Sequence, residues 1–337
     1  MAEDEFLPFL QDASRNCEYT APMEKVLLHL LGLLPTNALS RGVGGILRAP
    51  WPRSVHQAAI GAFVHALEVN VEEAERDLSD YDTFTDFFTR RLRDGARPID
   101  RSSDFIVSPC DGTLGTCGRV TDGMLLQAKG RPYSLADLLG GVASSRRYEG
   151  GDYLTIYLAP SDYHRVHFPV DGEVTESHHL PGRLWPVNPP AVEHVSDLFA
   201  VNERLVTHMD TAAGSVAVVM VGATCVGRIR MLYDEGVTNL GADLGRKDYR
   251  PPITVAKGDE LGVFEMGSTV ILVTGPGGCE FDESIGASGT GGTEPTGKRR
   301  PSDSPEGWSA RIGLRSSREP GGKLRMGMPI ARMNEGS

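Results

Sequence analysis

The spacing of apolar side chains changes part-way along the chain. Between residues 22 and 95 they recur every three to four positions, the period of a helix face. Val26, Leu27, Leu30, Leu31 and Leu34 form one stripe. Val55, Ala59, Ala62, Phe63, Ala66 and Leu67 form another and predict a helix from Ser54 to about Val69. A third helix is expected to open on Thr85 or Asp86 as its cap, to carry Phe87, Phe88, Arg90 and Arg91, and to end before Gly95 and Pro98. From Phe105 the texture becomes short apolar runs broken by glycine and proline, which predicts strands. The clearest are Tyr153–Leu158, Ser215–Val221, Ile253–Ala256 and Thr269–Val273, with Lys257-Gly258-Asp259-Glu260 as a turn joining two strands. The expected class is α+β, with an N-terminal helical region packed on a mainly β, barrel- or sandwich-like domain.

The same reading divides the chain. Residues 1–24 are expected to be disordered, 25–100 helical and 101–285 β-rich. Residues 286–322, rich in Gly, Ser, Pro and Thr, have too few large apolar side chains to offset the entropy of ordering. Residues 323–337 return to an apolar strand and a tail. A length of 337 residues and 40% hydrophobic content are ordinary for a globular protein.

A formal net charge of −11 argues against a nucleic-acid partner. The charge is uneven, however: Lys25, Arg41, Arg48 and Arg53 stand in the segment from Lys25 to Leu67, which has no acidic residue. Such a cationic, apolar segment fits docking on an anionic membrane surface as well as packing on the next domain. Its longest apolar run, Val26 to Leu34, is too short to span a bilayer. Five scattered cysteines without a CxxC pair predict neither a disulfide framework nor a structural zinc site. The acidic start, MAEDEF, is unlike a secretory signal, so no export is expected.

Several short stretches carry candidate chemistry. In Gly267-Ser268, ahead of an apolar strand, the serine hydroxyl can attack the preceding carbonyl, and glycine leaves that approach open. His164 and His167 stand three apart between Pro160 and Pro169; they share a side in a helical turn and oppose each other in a strand. Without a third ligand at a recognisable spacing, no metal site is expected. Ser108-Pro109-Cys110-Asp111-Gly112 reads as a tight turn. Gly42-Val43-Gly44-Gly45 and Gly275-Pro276-Gly277-Gly278 read as turns too, and His178, His179 and His194 as surface residues.

Taken in order, these stretches resemble the phosphatidylserine decarboxylase family. The resemblance rests on Phe87-Phe88-Thr89-Arg90-Arg91-Leu92, Ala96-Arg97-Pro98-Ile99-Asp100 and Ser108-Pro109-Cys110-Asp111-Gly112. Lys129-Gly130 with Tyr133-Ser134-Leu135 follows, then Asp162-Tyr163-His164-Arg165-Val166-His167 and Leu180-Pro181-Gly182-Arg183-Leu184. Leu198-Phe199-Ala200 with Asn202-Glu203-Arg204, Val221-Gly222-Ala223-Thr224 and Gly267-Ser268-Thr269 complete it, over roughly residues 25–285 and the final strand. Met266, Cys110 and Trp185-Pro186 depart from the family's usual residues, the first by a volume-conserving change from leucine.

The resemblance implies a carboxy-lyase made as a precursor that cuts itself between Gly267 and Ser268. Asp111 would orient His167, and His167 would take the proton from Ser268. Attack on the Gly267 carbonyl, elimination and hydrolysis would leave a pyruvoyl group at Ser268 and a heterodimer of the two cleaved chains. That covalent cofactor would form a Schiff base with phosphatidylserine, with His164 protonating the carbon after CO2 leaves, to give phosphatidylethanolamine. The implied location is the cytoplasmic face of the cell membrane, held peripherally. Two other readings are a pyruvoyl decarboxylase for another serine-headed lipid or a soluble amino acid, and an unprocessed lipid-binding module.

Overall fold

The structure is a computed structural model that describes residues 36–49, 51–127, 131–224, 228–238, 243–265, 268–281 and 322–334. The apolar stripe at 26–34, the disorder expected over 1–24, Lys129-Gly130 and the insert expected over 286–322, except its last residue, lie outside these.

The helical region is built around an aromatic wedge. Helix α1 is Thr36–Arg48, α2 is Arg53–Leu67 and α3 is Phe84–Phe88. Helix α2 begins and ends close to the expected positions, but its buried face differs. His56 and Ile60 are buried and Phe63 and Val64 partly so, whereas Val55, Ala59, Ala62, Ala66 and Leu67 face outward. Alanines gain little by burial, so the larger Ile60 and Phe63 decide the rotation. The Phe63 ring stands edge-on to Phe84, Phe87 and Phe88, with centroids 5.0, 6.4 and 6.0 Å away. The cap of α3 is Thr83, two residues earlier than expected: its Oγ1 accepts from the Asp86 amide at 3.0 Å, satisfying one of the first-turn N–H groups. The helix stops at Phe88, which leaves Arg90 and Arg91 beyond it. Gly42-Val43-Gly44-Gly45, expected as a turn, lies inside α1.

The β region follows the sequence pattern. Its strands are β1 Phe105–Val107, β2 Gly112–Arg119, β3 Met124–Gln127, β4 Arg131–Ser134, β5 Asp152–Leu158, β6 Arg165–His167, β7 Gly172–Leu180 and β8 Arg204–Thr211. They continue with β9 Gly214–Val221, β10 Ile229–Met231, β11 Arg246–Val255, β12 Glu260–Phe264, β13 Ser268–Thr274, β14 Cys279–Phe281, β15 Lys323–Leu324 and β16 Pro329–Met333. All four predicted strands are present, the 257–260 turn joins β11 to β12, and the chain's end supplies β15 and β16. The main sheet runs β11-β7-β8-β9-β13-β5-β2-β15; a second runs β10-β12-β6 and a third β1-β16-β14. The strand pairs are antiparallel, and the sheets stay open rather than closing into a barrel.

Strand β13 lies inside the main sheet, in register with β5 from Ser268↔Leu158 to Val273↔Tyr153 and with β9 from Thr269↔Val221 to Thr274↔Val216. Val270, Ile271, Leu272 and Val273 are fully buried, so the run is apolar throughout rather than alternating, as a strand covered on both faces must be. Among the described residues no helix is long and apolar enough to cross a membrane.

The aromatic wedge predicts a stability effect. Phe87→Ala removes a fully buried ring and should cost about 3–5 kcal/mol in urea unfolding. A loss below about 1 kcal/mol would mean that the helical region does not unfold with the rest.

Candidate active site

Two chain crossings between the same two sheets build the site. Residues 159–164 carry the chain from β5 in the main sheet to β6 in the three-stranded sheet, and residues 265–267 carry it back from β12 to β13. The crossings are tied at both ends: the Phe264 amide donates to the His164 carbonyl at 3.0 Å, and Ser268 pairs with Leu158. Residues 108–111 join them, because the His167 amide donates to the Pro109 carbonyl at 2.7 Å. The backbone thus gathers the three stretches singled out in the sequence. Met266, Gly267 and the side chain of Ser268 lie outside the described residues.

His164 precedes β6 and His167 ends it. His164 is 1% exposed, with Phe88 tilted over its ring at 4.1 Å between centroids. Its Nδ1 lies 2.8 Å from the Asp162 carbonyl, an acceptor only, so Nδ1 carries the proton. Nε2 then presents a lone pair, buried and without a hydrogen-bond partner among the described residues. Burial pushes the pKa of this imidazole down to about 3, with Arg90 acting the same way and the Asp162 carbonyl opposing. His164 is therefore neutral at pH 7.

His167 is held differently. Its Nδ1 lies 2.8 Å from the Gly258 carbonyl, which again fixes the proton on Nδ1, and its Nε2 accepts the Tyr163 hydroxyl at 3.1 Å. Burial lowers its pKa, against the raising effects of the Gly258 carbonyl and the Glu260 charge. Both ring nitrogens are thus engaged, and neither meets Asp111.

The expected Asp111–His167 contact is corrected accordingly. The Asp111 carboxylate forks onto Arg97, with Nε–Oδ1 at 2.9 Å and Nη2–Oδ2 at 2.6 Å, and accepts the Met326 amide at 2.9 Å. Arg97 Nη2 also reaches Glu73 Oε2 at 2.7 Å. Burial opposes the Arg97 charge, but the two carboxylates outweigh it and raise its pKa. A buried guanidinium already in reach claims the carboxylate ahead of a neutral imidazole.

Other expected residues separate from this centre. Cys110 is fully buried, which pushes its thiol pKa well up and leaves it unreactive. His194 is half-buried. His179, expected at the surface, is buried, with Nε2 3.0 Å from Glu203 and Nδ1 3.0 Å from Asp243. The blocks at 180–184, 202–204 and 221–224 form a scaffold. Asn202 Oδ1 accepts the Trp185 amide at 2.9 Å and its Nδ2 donates to the Gly222 carbonyl at 2.9 Å. A Cβ on Gly182 would fall 2.5 Å from the Val201 carbonyl oxygen, so only glycine lets these two backbones approach.

Tyr163, Gly258 and Glu73 were not singled out for roles from the sequence. Tyr163 and Arg97 stood inside recognised motifs, which offered a signal of place though not of partner.

The family model for phosphatidylserine decarboxylase matches residues 84–292. A protein of Myxococcus xanthus is 47% identical over 262 residues, 78% of this chain and 94% of its own length. One of Anaeromyxobacter is 50% identical over 265 residues, covering 78% and 94%, and one of Brevibacillus brevis 44% over 254, covering 74% and 89%. Each bears the name phosphatidylserine decarboxylase proenzyme. With identity of this order across nearly the whole length of those relatives, the chain belongs to the phosphatidylserine decarboxylase family.

Proposed function

We propose that this decarboxylase cuts itself between Gly267 and Ser268 and uses the carbonyl group left at Ser268 on phosphatidylserine. The chain is a carboxy-lyase of phosphatidylserine made as a proenzyme; the cleavage position, the pyruvoyl group, the paired products and the membrane contact are our reading. The observation that carries it is the pair of crossings, which sets Ser268 at the start of a buried strand directly opposite the segment leading to His164.

The residues present fit such a group. A carbonyl at the start of β13 would stand where the Ser268–Leu158 pairing and the Phe264–His164 hydrogen bond draw the backbones of the two crossings together. One of those crossings carries His164 Nε2, buried and unpartnered among the described residues. The group supplies an electron sink for the pair released as CO2 leaves. Because His164 is neutral with its lone pair at Nε2, it enters turnover as a proton acceptor. It can take the proton that the substrate ammonium must lose and return it to carbon. In processing, His167 Nε2 is the basic nitrogen, and Tyr163 stands on it; the Ser268 proton reaches it through that hydroxyl. Asp111 acts at one remove, by holding Arg97 and the Met326 backbone beside the 108–111 turn.

Cleavage would leave chains of 267 and 70 residues (337 − 267 = 70). The shorter chain would keep β13 between β5 and β9, and β16 between β1 and β14, so the products stay together as a heterodimer.

Of the basic residues in the segment 25–67, Arg48 pairs with Glu265 at 2.7 Å and Arg53 stays mostly exposed with Asp82 4.0 Å away, while Lys25 and the Arg41 side chain lie outside the described residues. Exposed apolar side chains cluster on the same region: Ile46, Trp51 and Val55 are each half or more exposed. A tryptophan among aliphatic residues suits the interface of a lipid bilayer.

Mass spectrometry of the purified protein should find one chain ending at Gly267 and another beginning with a blocked residue. Ser268→Ala should stay whole. An active, uncut chain of 337 residues would sink this reading.

His167→Ala and Asp111→Ala should accumulate precursor, and Tyr163→Phe should slow cleavage by about tenfold or more, within the range of general acid–base effects. Wild-type speed in Tyr163→Phe would exclude the hydroxyl from the proton path. His164→Ala should be cut at least in part yet decarboxylate poorly. Because burial lowers the His164 pKa to about 3, protonation of His164 should put no acid limb on the wild-type activity profile between about pH 5 and pH 7.

Replacing Ile46, Trp51 and Val55 with serine should weaken sedimentation with phosphatidylserine-containing vesicles without blocking cleavage. Undiminished sedimentation would place docking on another surface.

A further inference from the structure

Helix α1 reaches the catalytic region at both ends. At its start, Asn37 Nδ2 donates to the Gly182 carbonyl at 2.8 Å, within the 180–184 loop. At its end, Arg48 Nη1 meets Glu265 Oε2 at 2.7 Å, and Glu265 stands two residues before Gly267. A helix of 13 residues is about 20 Å long, so α1 acts as a strap between two elements of the site region. On its outer side Ile46 is 60% exposed.

The Arg48–Glu265 pair is placed to matter. The side chains are 26% and 14% exposed, so the pair is only partly screened by solvent. Arg228 approaches the same carboxylate oxygen at 3.9 Å, and its carbonyl accepts the Glu265 amide at 3.1 Å. A Cβ on Gly44 would lie 2.8 and 3.0 Å from the two terminal nitrogens of Arg48. The guanidinium therefore rests against the Gly44 backbone, one turn back, where a Cβ would make only its flexible end shift.

Between the last paired residue of β12, Phe264, and the first of β13, Ser268, the chain has three residues, 265–267. Fixing the first of them by its side chain leaves two to set the approach of a hydroxyl to a carbonyl. Small displacements at such a junction carry large rate costs.

We propose that Arg48 is a positioning residue for self-cleavage, holding Glu265 so that the strap helix sets the entry to the Gly267–Ser268 junction. The inference rests on the cleavage reading above. It makes processing depend on the same helix that carries Ile46 toward lipid, and so ties maturation to the state of the helical region.

The test follows conversion of freshly synthesised precursor on denaturing gels. Arg48→Glu and Glu265→Arg should each slow cleavage at least tenfold, and the double exchange should recover to within about fivefold of wild type, as expected when two side chains act as a pair. Arg48→Gln supplies a readout that a merely structural role would not give. A partly exposed pair contributes little to stability, so the melting temperature should stay close to wild type while cleavage slows by severalfold. Wild-type speed in Arg48→Glu, or a double exchange as slow as the slower single variant, would overturn the proposal. If Arg48→Glu fails to fold, a folded Arg48→Gln protein that cleaves at wild-type speed overturns it instead. A wild-type chain left uncut at Gly267 would overturn the cleavage reading together with this one, whereas normal wild-type cleavage with indifferent variants defeats only the role of Arg48.

Discussion

Pairing of β13 with β5 on one side and β9 on the other, through a run of fully buried aliphatic side chains, is the constraint on which the rest of the site depends. A strand bonded on both edges and buried on both faces cannot shift register by one residue without forcing every aliphatic side chain into the packing of the opposite face. That fixes Ser268 opposite Leu158 and brings the segment ending in His164 to the same place. The arrangement also separates covalent continuity from structural integrity. A break just before β13 removes one peptide bond but none of the ladder that holds the strand, and a chain cut there keeps its core.

Around this strand the charged groups are arranged by burial. Glu73, Arg97 and Asp111 form a chain of carboxylate, guanidinium and carboxylate, with the Arg97 and Asp111 side chains less than 10% exposed, and Asp111 also takes the Met326 amide. Taking such charges from water is costly unless each meets a partner. Here one guanidinium serves residues from the helical region and the 108–111 turn, while Asp111 adds the chain's last segment. The interaction that displaces Asp111 from His167 is therefore the one that draws three distant parts of the chain together.

The two histidines illustrate how the surroundings divide the roles of identical side chains. Each gives its Nδ1 proton to a backbone carbonyl and keeps a basic Nε2. For His164 that nitrogen is buried and, among the described residues, unpartnered; for His167 it holds the Tyr163 hydroxyl. Desolvation keeps both neutral at pH 7, so both begin as acceptors of protons.

The sequence by itself determined what depends on neighbours along the chain. Strand positions followed from apolar runs between glycines and prolines, the span of α2 from its helical period, and Ser268, His164 and His167 from motifs of a few residues whose order resembles one family. Tertiary structure decided what depends on partners far away. The face of α2 turned on Ile60 and Phe63 meeting the phenylalanines of α3, which a stripe of alanines could not foretell. His179 is buried because Glu203 and Asp243, 24 and 64 residues on, converge on its two nitrogens. Arg48 and Glu265 are 217 residues apart, and Asp111 and Met326 are 215. Local propensity acts over a few bonds, whereas a buried charge or ring finds its partner only when the sheet register has set which distant backbones lie side by side.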